Sequence, residues 1–288
     1  MRAEQLAPLV FVLLWSTGFV VARYATDDAG PLTFLAVRMV IAAGVLWAVA
    51  AATRAPSIGA HTARWVALSG LGLHALYLGG VFLAISWGMP AGISALIAGL
   101  HPVITTVTAR FVLAERLHPL QWLGVALGFA GVSFVVVDRL RHNAVGLSGG
   151  ALTAAAISVM GMVMGTLLQR RHGVTMPLLR GTAVQYSSSA VVLCLGAAVH
   201  EGFRFDVTTK SLFALAWAVG VLSMASVLIM LWLLQHQAAA RVSSLFFLTP
   251  ALSALEGAIL FGERFSGLEM MGLVAALCGV ALTLRVSA

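Results

Sequence analysis

The sequence predicts an all-α polytopic membrane protein, with ten transmembrane helices arranged as two inverted five-helix repeats. The chain is 60% hydrophobic and only 9% charged, whereas soluble domains carry roughly 25% charged residues. Ten apolar segments each approach the length of about 20 residues that a helix needs to cross the hydrocarbon core. In addition, the stretch Ala91–Val137 recurs 148 positions later as Ala239–Arg285.

The apolar segments are separated by short turns, several of which contain proline or glycine. Arg2 followed by an apolar run looks like a signal peptide, but nine further apolar segments follow, so we expect a retained first helix. The predicted helices cover residues 6–23, 31–52, 64–87, 91–113, 119–137, 148–169, 178–199, 211–236, 240–261 and 267–285.

The duplicated stretch divides the chain into two units, residues 1–142 and residues 143–288. Each copy contains a helix with an internal proline, a turn with Glu-Arg and a helix with spaced glycines. The matched pairs are Pro102 and Pro250, Glu115 and Glu263, Arg116 and Arg264, Gly124 and Gly272, and Gly131 and Gly279. Because each unit holds an odd number of helices, the second must be inserted upside down, as in many secondary transporters.

Basic residues in short loops set the orientation of a membrane protein. With the N-terminus inside, ten arginines lie on the inner side and seven basic residues on the outer side. This bias predicts that both termini are cytoplasmic. The outer group comprises Arg23, Arg38, Arg139, Arg141, Arg204, Lys210 and Arg264.

One face of predicted helix 4 and the matching face of predicted helix 9 carry polar residues at helical spacing. His101 and Thr249 lie about ten residues into their helices, which is about 15 Å at 1.5 Å per residue. Each precedes a proline, Pro102 or Pro250, which bends the helix and frees a carbonyl. We therefore expect a midplane site between the repeats, with these prolines as hinges. The alternative is that the prolines shape packing and the hydroxyls bond to their own helices.

Glu256 is the one acidic residue well inside a predicted span. A carboxylate there is costly, about 2.5–3.5 kcal/mol on insertion scales, so it is expected to be protonated or paired with an arginine such as Arg23 or Arg38. It is a candidate for proton coupling or for binding a substrate amine. The alternative is that it lies in the outer third of helix 9 and reaches water.

Aromatic, methionine and amide side chains supply the remaining candidates for a substrate-binding wall. Each of them, taken singly, is also common in a helix core or an interfacial belt. The substrate-binding candidates are Trp15, His74, Tyr77, Ser94, His101, Met160, Gln185, Trp232, Phe246, Thr249 and Glu256.

The sequence gives little support to hydrolysis, metal binding, nucleotide binding or sugar-phosphate transport. The stretch Gly146–Gly150 fits the hydrolase pattern G-x-S-x-G, but no strand precedes it, and Ser148 is better explained as a helix N-cap. The histidines show no zinc-binding spacing, the phosphate-binding loop motif is missing, and no cofactor is expected. Since no basic residue is expected at the midplane, sugar-phosphate carriers fit poorly.

The repeat resembles the EamA unit of the drug/metabolite transporter superfamily. The resemblance rests on the proline, Glu-Arg and spaced glycines of both copies, on Gln121 and Glu269, on Trp15–Phe19 and on Pro31–Arg38. In size and layout the chain is similar to YddG-type exporters of aromatic amino acids. The resemblance implies ten helices, inverted repeats, alternating access and a location in the bacterial inner membrane.

We therefore expect a secondary transporter, not an enzyme, that exports small hydrophobic metabolites, most of all aromatic and neutral amino acids. The partners expected are a small-molecule substrate and the lipid bilayer, with no nucleic acid. One alternative is an exporter of drugs or nucleobase-like metabolites. A second, from another class, is an intramembrane hydrolase using Ser148. The sequence leaves open the exact substrate, the coupling ion, the direction of flux and the oligomeric state, a monomer included.

Overall fold

The computed structural model of the chain describes residues 3–112, 118–141, 148–172, 176–227, 229, 233 and 248–285. Within these ranges the chain forms helices joined by turns and no strand, apart from one isolated antiparallel bridge between Ala29 and Phe205. The helices are α1 (Ala3–Asp28), α2 (Pro31–Ala52), α3 (Ala60–Ser86), α4a (Ala91–Ala98), α4b (His101–Val112), α5 (Pro119–Arg141), α6 (Gly149–His172), α7 (Leu178–His200), α8 (Thr209–Ala225), α9 (Leu248–Phe261) and α10 (Gly267–Arg285).

Six of these helices, α1, α2, α3, α5, α6 and α7, are long and apolar enough to cross a membrane. Shorter apolar helices occupy the positions of predicted helices 4, 8, 9 and 10. The prediction of an all-α polytopic membrane protein is therefore confirmed. The parts of predicted helices 8 and 9 nearest to each other, including residues 234–247, lie outside the described residues.

Several helices begin at caps that the sequence encodes. Ser148 Oγ accepts a hydrogen bond from the backbone N–H of Ala151 at 3.1 Å, which confirms its expected role as the N-cap of α6. At the start of α10, Ser266 and Glu269 form a reciprocal capping box, with hydrogen bonds of 2.7 and 3.1 Å. Gln121, which corresponds to Glu269 in the first repeat, likewise accepts a hydrogen bond from the His118 backbone N–H at 2.8 Å.

Predicted helix 4 is interrupted rather than bent. α4a ends at Ala98, and a turn at Gly99 and Leu100 separates it from α4b. The cause is Pro102, which has no N–H to donate to the carbonyl of Ala98, four residues earlier. The Nδ1 atom of His101 lies 3.2 Å from that carbonyl oxygen and satisfies it when this nitrogen carries the proton. The ring of His101 therefore compensates for the hydrogen bond that the proline removes.

Helices from the first half pack mainly against helices from the second half. The most extensive pairs are α5 with α10, α2 with α7, α3 with α6 and α3 with α7, followed by α4a with α9. As a result, each of the two large apolar clusters of the bundle draws on both halves of the sequence. The inverted relation between residues 1–142 and 143–288 stays a prediction.

The closest of these contacts depend on glycine. A Cβ atom added to Gly131 on α5 would lie 2.4 Å from the backbone oxygen of Gly272 on α10. A Cβ atom on Gly279 would similarly lie 2.6 Å from the backbone oxygen of Gly124. Small residues at such positions let two membrane helices approach closely, so the spaced glycines of both repeats serve helix packing here.

We predict that Gly131→Ala destabilises the protein by about 1–3 kcal/mol, because the added methyl group must separate two backbones. The matched control is Gly44→Ala on α2, where an added Cβ meets nothing within 4 Å. Thermal unfolding of the purified variants in detergent measures the difference. Equal unfolding temperatures for the two variants would contradict the close packing of α5 on α10.

Candidate functional site

A cavity of about 300 Å³ lies where α1, α2, α3, α6, α7 and α8 meet. This central cavity is the candidate functional site. Most of its wall is apolar or aromatic, and its polar side chains are few. The aromatic rings in the wall belong to Trp15, Phe19, His74, Tyr77, Phe82 and Tyr186, and the polar groups to Arg38, Gln169, Thr182 and Gln185. A concave apolar site with a few placed polar groups is typical of small-molecule binding.

Two π-helical segments face the central cavity. Leu71–Leu76 interrupts α3, and Ala218–Ala225 follows the α-helical first part of α8, Thr209–Trp217. The first presents His74 and the second presents Leu222 to the cavity. Segments of this kind are rare and often occur at functional sites. The His74 ring meets Tyr186 of α7 edge to face, with centroids 4.7 Å apart, so one wall is a fixed aromatic pair.

A polar network forms another part of the wall. The Gln185 amide nitrogen donates hydrogen bonds to Gln169 Oε1 at 2.9 Å and to Ser69 Oγ at 3.0 Å. Ser69 Oγ in turn donates to Gln169 Oε1 at 2.9 Å. Both Gln185 and Ser69 are buried, and buried amides need such partners. Gln185, a predicted contact, therefore reaches the cavity as part of a bridge linking α3, α6 and α7.

Arg38 is a cavity residue that the sequence analysis placed wrongly. It was counted among the outer loop charges, but it is 7% exposed and lines the central cavity. It lies seven residues after Pro31, about 10 Å along α2 at 1.5 Å per residue. A basic side chain therefore lines the cavity, whereas the sequence analysis expected no basic residue at the midplane. The signal was an arginine well inside an apolar span, and such charges usually mark function.

Some of the other sequence-predicted residues line this cavity, and others lie in α4a, α4b and α9. Trp15, His74 and Tyr77 line the cavity together with Gln185. Ser94, His101 and Thr249 do not belong to its wall. Ser94 and Thr249 are buried, and neither hydroxyl has a hydrogen-bond partner among the described residues.

The two predicted hinge regions touch each other. A Cβ atom added to Gly99, in the turn before Pro102, would lie 2.7 Å from Pro250 Cγ. The break in α4 and the proline of α9 thus pack together, which places the two predicted hinges side by side. Their role as hinges stays a prediction.

Glu256 lies between α1 and α9, away from the central cavity. Its Oε1 atom accepts a hydrogen bond of 2.5 Å from Ser16, and its Oε2 atom is buried with no partner among the described residues. Ser253, one turn earlier on α9, donates to the Ser16 carbonyl at 3.0 Å. The structure therefore pairs Glu256 with a serine, where Arg23 or Arg38 was expected.

Met160 is on the opposite side of its helix from the cavity. It is 47% exposed, while Met162 lines the cavity. Two residues along an α-helix are separated by about 200° at 3.6 residues per turn, so only one of them can face inward. Met162 replaces Met160 as the methionine of the site. Trp232 and Phe246 lie outside the described residues.

The bundle is closed at the end where α1 leads into α2. There the α1–α2 connection is bound to the α7–α8 connection by two backbone hydrogen bonds, from Gly30 N–H to Arg204 O at 2.9 Å and from Asp206 N–H to Asp28 O at 2.8 Å. We call residues 27–30 with residues 201–208 the latch. The Glu201 carboxylate also accepts hydrogen bonds from the backbone N–H groups of Leu32 and Thr33 at 2.9 and 2.8 Å.

Beneath the latch, aromatic rings fill the space between helices. Phe34 stacks on Phe82 with centroids 5.7 Å apart and on Phe205 with centroids 6.4 Å apart. The cavity wall extends instead towards Met176 and Leu178, at the opposite end of the bundle. The latch therefore lies beyond one end of the cavity, and Met176 and Leu178 border the other end.

The chain is similar to known membrane transporters over almost its whole length. It is 27% identical to a "Probable amino-acid metabolite efflux pump" of Escherichia coli K12, covering 97% of this chain and 94% of that protein. It is 25% identical to the "Uncharacterized inner membrane transporter YedA" of the same strain, covering 98% and 92%. A crystal structure covering 99% of this chain shares its fold at a TM-score of 0.62 and 21% identity.

The model of the EamA-like transporter family matches residues 3–137 and again residues 148–285. The two matches span both halves of the sequence and include every helix that lines the central cavity. Together with the apolar helices, they show a multi-pass inner-membrane transporter and not an enzyme. The chain belongs to the EamA-like transporter family.

Proposed function

We propose that this transporter exports hydrophobic amino acids, above all aromatic ones, by alternating access around the central cavity. The observation that carries the proposal is the cavity itself, whose wall is aromatic and whose polar groups are few. Its volume of about 300 Å³ is at the lower end of the range for ligand sites, which suits one small metabolite. The relatives named as amino-acid metabolite efflux pumps support the same substrate class.

In this proposal both termini face the cytoplasm, and the latch lies on the outer side. The state described here then has its outer end closed, and its cavity extends towards the cytoplasmic end, where an exporter collects its substrate. Alternating access requires the latch to open while the α6–α7 end closes. The packed turn of α4 and Pro250 are the proposed pivots of this movement, and the helices bordering the cavity tilt around them.

The rival within the family is an exporter of drugs or nucleobase-like metabolites, which would use the same aromatic wall without needing a charged group. The buried guanidinium of Arg38 favours amino acids, because a neutral aromatic drug gives a desolvated cation no partner. The structure gives the hydrolase alternative no support, since Ser148 caps α6 and does not line the cavity.

Uptake into proteoliposomes tests the proposal. We expect saturable uptake of labelled tryptophan and phenylalanine, with competition by methionine and threonine, compared with liposomes that lack protein.

An imposed pH gradient then shows whether transport is coupled to protons, and the effect of the gradient should be lost in Glu256→Gln if that carboxyl carries the proton. If no amino acid is taken up with or without the gradient, while drug-like or nucleobase substrates are, the amino-acid assignment is wrong.

A further inference from the structure

We propose that Arg38 binds the carboxylate of the substrate and thereby restricts the transporter to substrates with a single anionic head group. The inference rests on the proposed function, because it assigns the polar end of the same cavity. It goes beyond that function by naming the recognising residue and the group that it selects.

Arg38 is a buried cation with no partner of opposite charge in the described part of the chain. Its one hydrogen bond there runs from Nε to Ser223 Oγ at 3.1 Å. The two Nη groups make no hydrogen bond to a described residue, and the Arg38 side chain lines the cavity. A guanidinium at this depth is costly and persists when it has a specific partner, so the missing partner is best supplied by a ligand.

The shape of the Arg38 guanidinium also suits a carboxylate. Arginine presents its donors as a planar fork that matches a carboxylate in a two-point contact. With Nε occupied by Ser223, the Nη pair remains for an anion. The aromatic rings of Tyr77 and Tyr186 line the same cavity and provide apolar surface for the rest of the molecule. A carboxylate joined to an apolar or aromatic side chain satisfies both parts of the site.

Arg38 is the sole lysine or arginine among the described residues that line the cavity. One positive charge balances one carboxylate, whereas a phosphate monoester carries about two negative charges near neutral pH and calls for a second cation. The site therefore favours amino-acid-like substrates over organic phosphates.

The test uses native protein first, so that it does not depend on the folding of a variant. In proteoliposomes loaded with tryptophan, uptake of labelled tryptophan is competed with unlabelled tryptophan, tryptophan amide, tryptophan methyl ester or glucose 6-phosphate. We expect the amide and the ester to compete about 10- to 100-fold more weakly than tryptophan, since they lack the charged acceptor. Equal competition by the amide, or stronger competition by the phosphate, would overturn the inference.

Variants then locate the effect. Arg38→Gln should raise the KM for tryptophan about 10- to 100-fold and remove the preference over the amide, and Arg38→Lys should keep part of that preference as a point charge. Arg64→Gln, which alters an exposed arginine of α3, should change neither. Retention of the preference in Arg38→Gln would also overturn the inference. If native protein moves tryptophan without discriminating the amide, the proposed function stands and this inference fails; if no amino acid moves, the proposed function itself fails.

Discussion

A disulfide between positions 29 and 205 is expected to abolish transport, and reduction is expected to restore it. Ala29 and Phe205 form an isolated antiparallel bridge, and the flanking hydrogen bonds make them a non-hydrogen-bonded pair. The Cα atoms of such pairs lie about 4.5 Å apart, within the range of about 4.4–6.8 Å for a disulfide. The disulfide would hold the latch closed. The proposed alternating access requires the latch to open.

The measurement is tryptophan uptake by Ala29→Cys/Phe205→Cys protein in which Cys194 and Cys278 are serine. Uptake is compared after mild oxidation and again after dithiothreitol. Each single-cysteine variant serves as the control for the effects of substitution and of oxidant. If fully crosslinked protein transports as fast as its reduced form, the latch is not a moving part of the cycle.

Much of the fold could be predicted because it depends on local features of the sequence. Apolar length and the turn residues predict the helices, and Ser148 acts as the expected N-cap. The duplicated proline also predicts a disturbed helix 4. The form of that disturbance could not be predicted, because the break at Gly99 depends on how the His101 ring satisfies the Ala98 carbonyl.

The site was predicted less well, and the reason lies in tertiary structure. The polar stripe of helices 4 and 9 shows a real repeat, but α4a and α9 pack against each other, and the central cavity forms among other helices. The cavity also depends on the π-helical turn that presents His74, which has no simple sequence signature. From the sequence alone, an arginine seven residues into an apolar helix, such as Arg38, can serve orientation or chemistry, and only its burial distinguishes the two.

Gly18→Leu is expected to abolish transport without unfolding the protein. Gly18 lies in the cavity wall, and the nearest atom to an added Cβ is a Leu222 methyl carbon at 3.9 Å, which is an ordinary contact distance. The leucine side chain therefore occupies cavity volume that the substrate needs. Gly44→Leu, on the exposed face of α2, adds the same atoms away from the cavity and should transport normally. Tryptophan uptake in proteoliposomes and thermal unfolding in detergent are measured for both.

The most direct test is the initial rate of tryptophan counterflow. It is measured side by side for four single variants, Gly18→Leu, Gly44→Leu, His101→Ala and Thr249→Ala. If the central cavity is the transport site, Gly18→Leu falls to the rate of empty liposomes, while folded His101→Ala and Thr249→Ala keep measurable counterflow. The opposite pattern, with Gly18→Leu active and both His101→Ala and Thr249→Ala silent but folded, would move the site to the α4–α9 stripe and contradict the account.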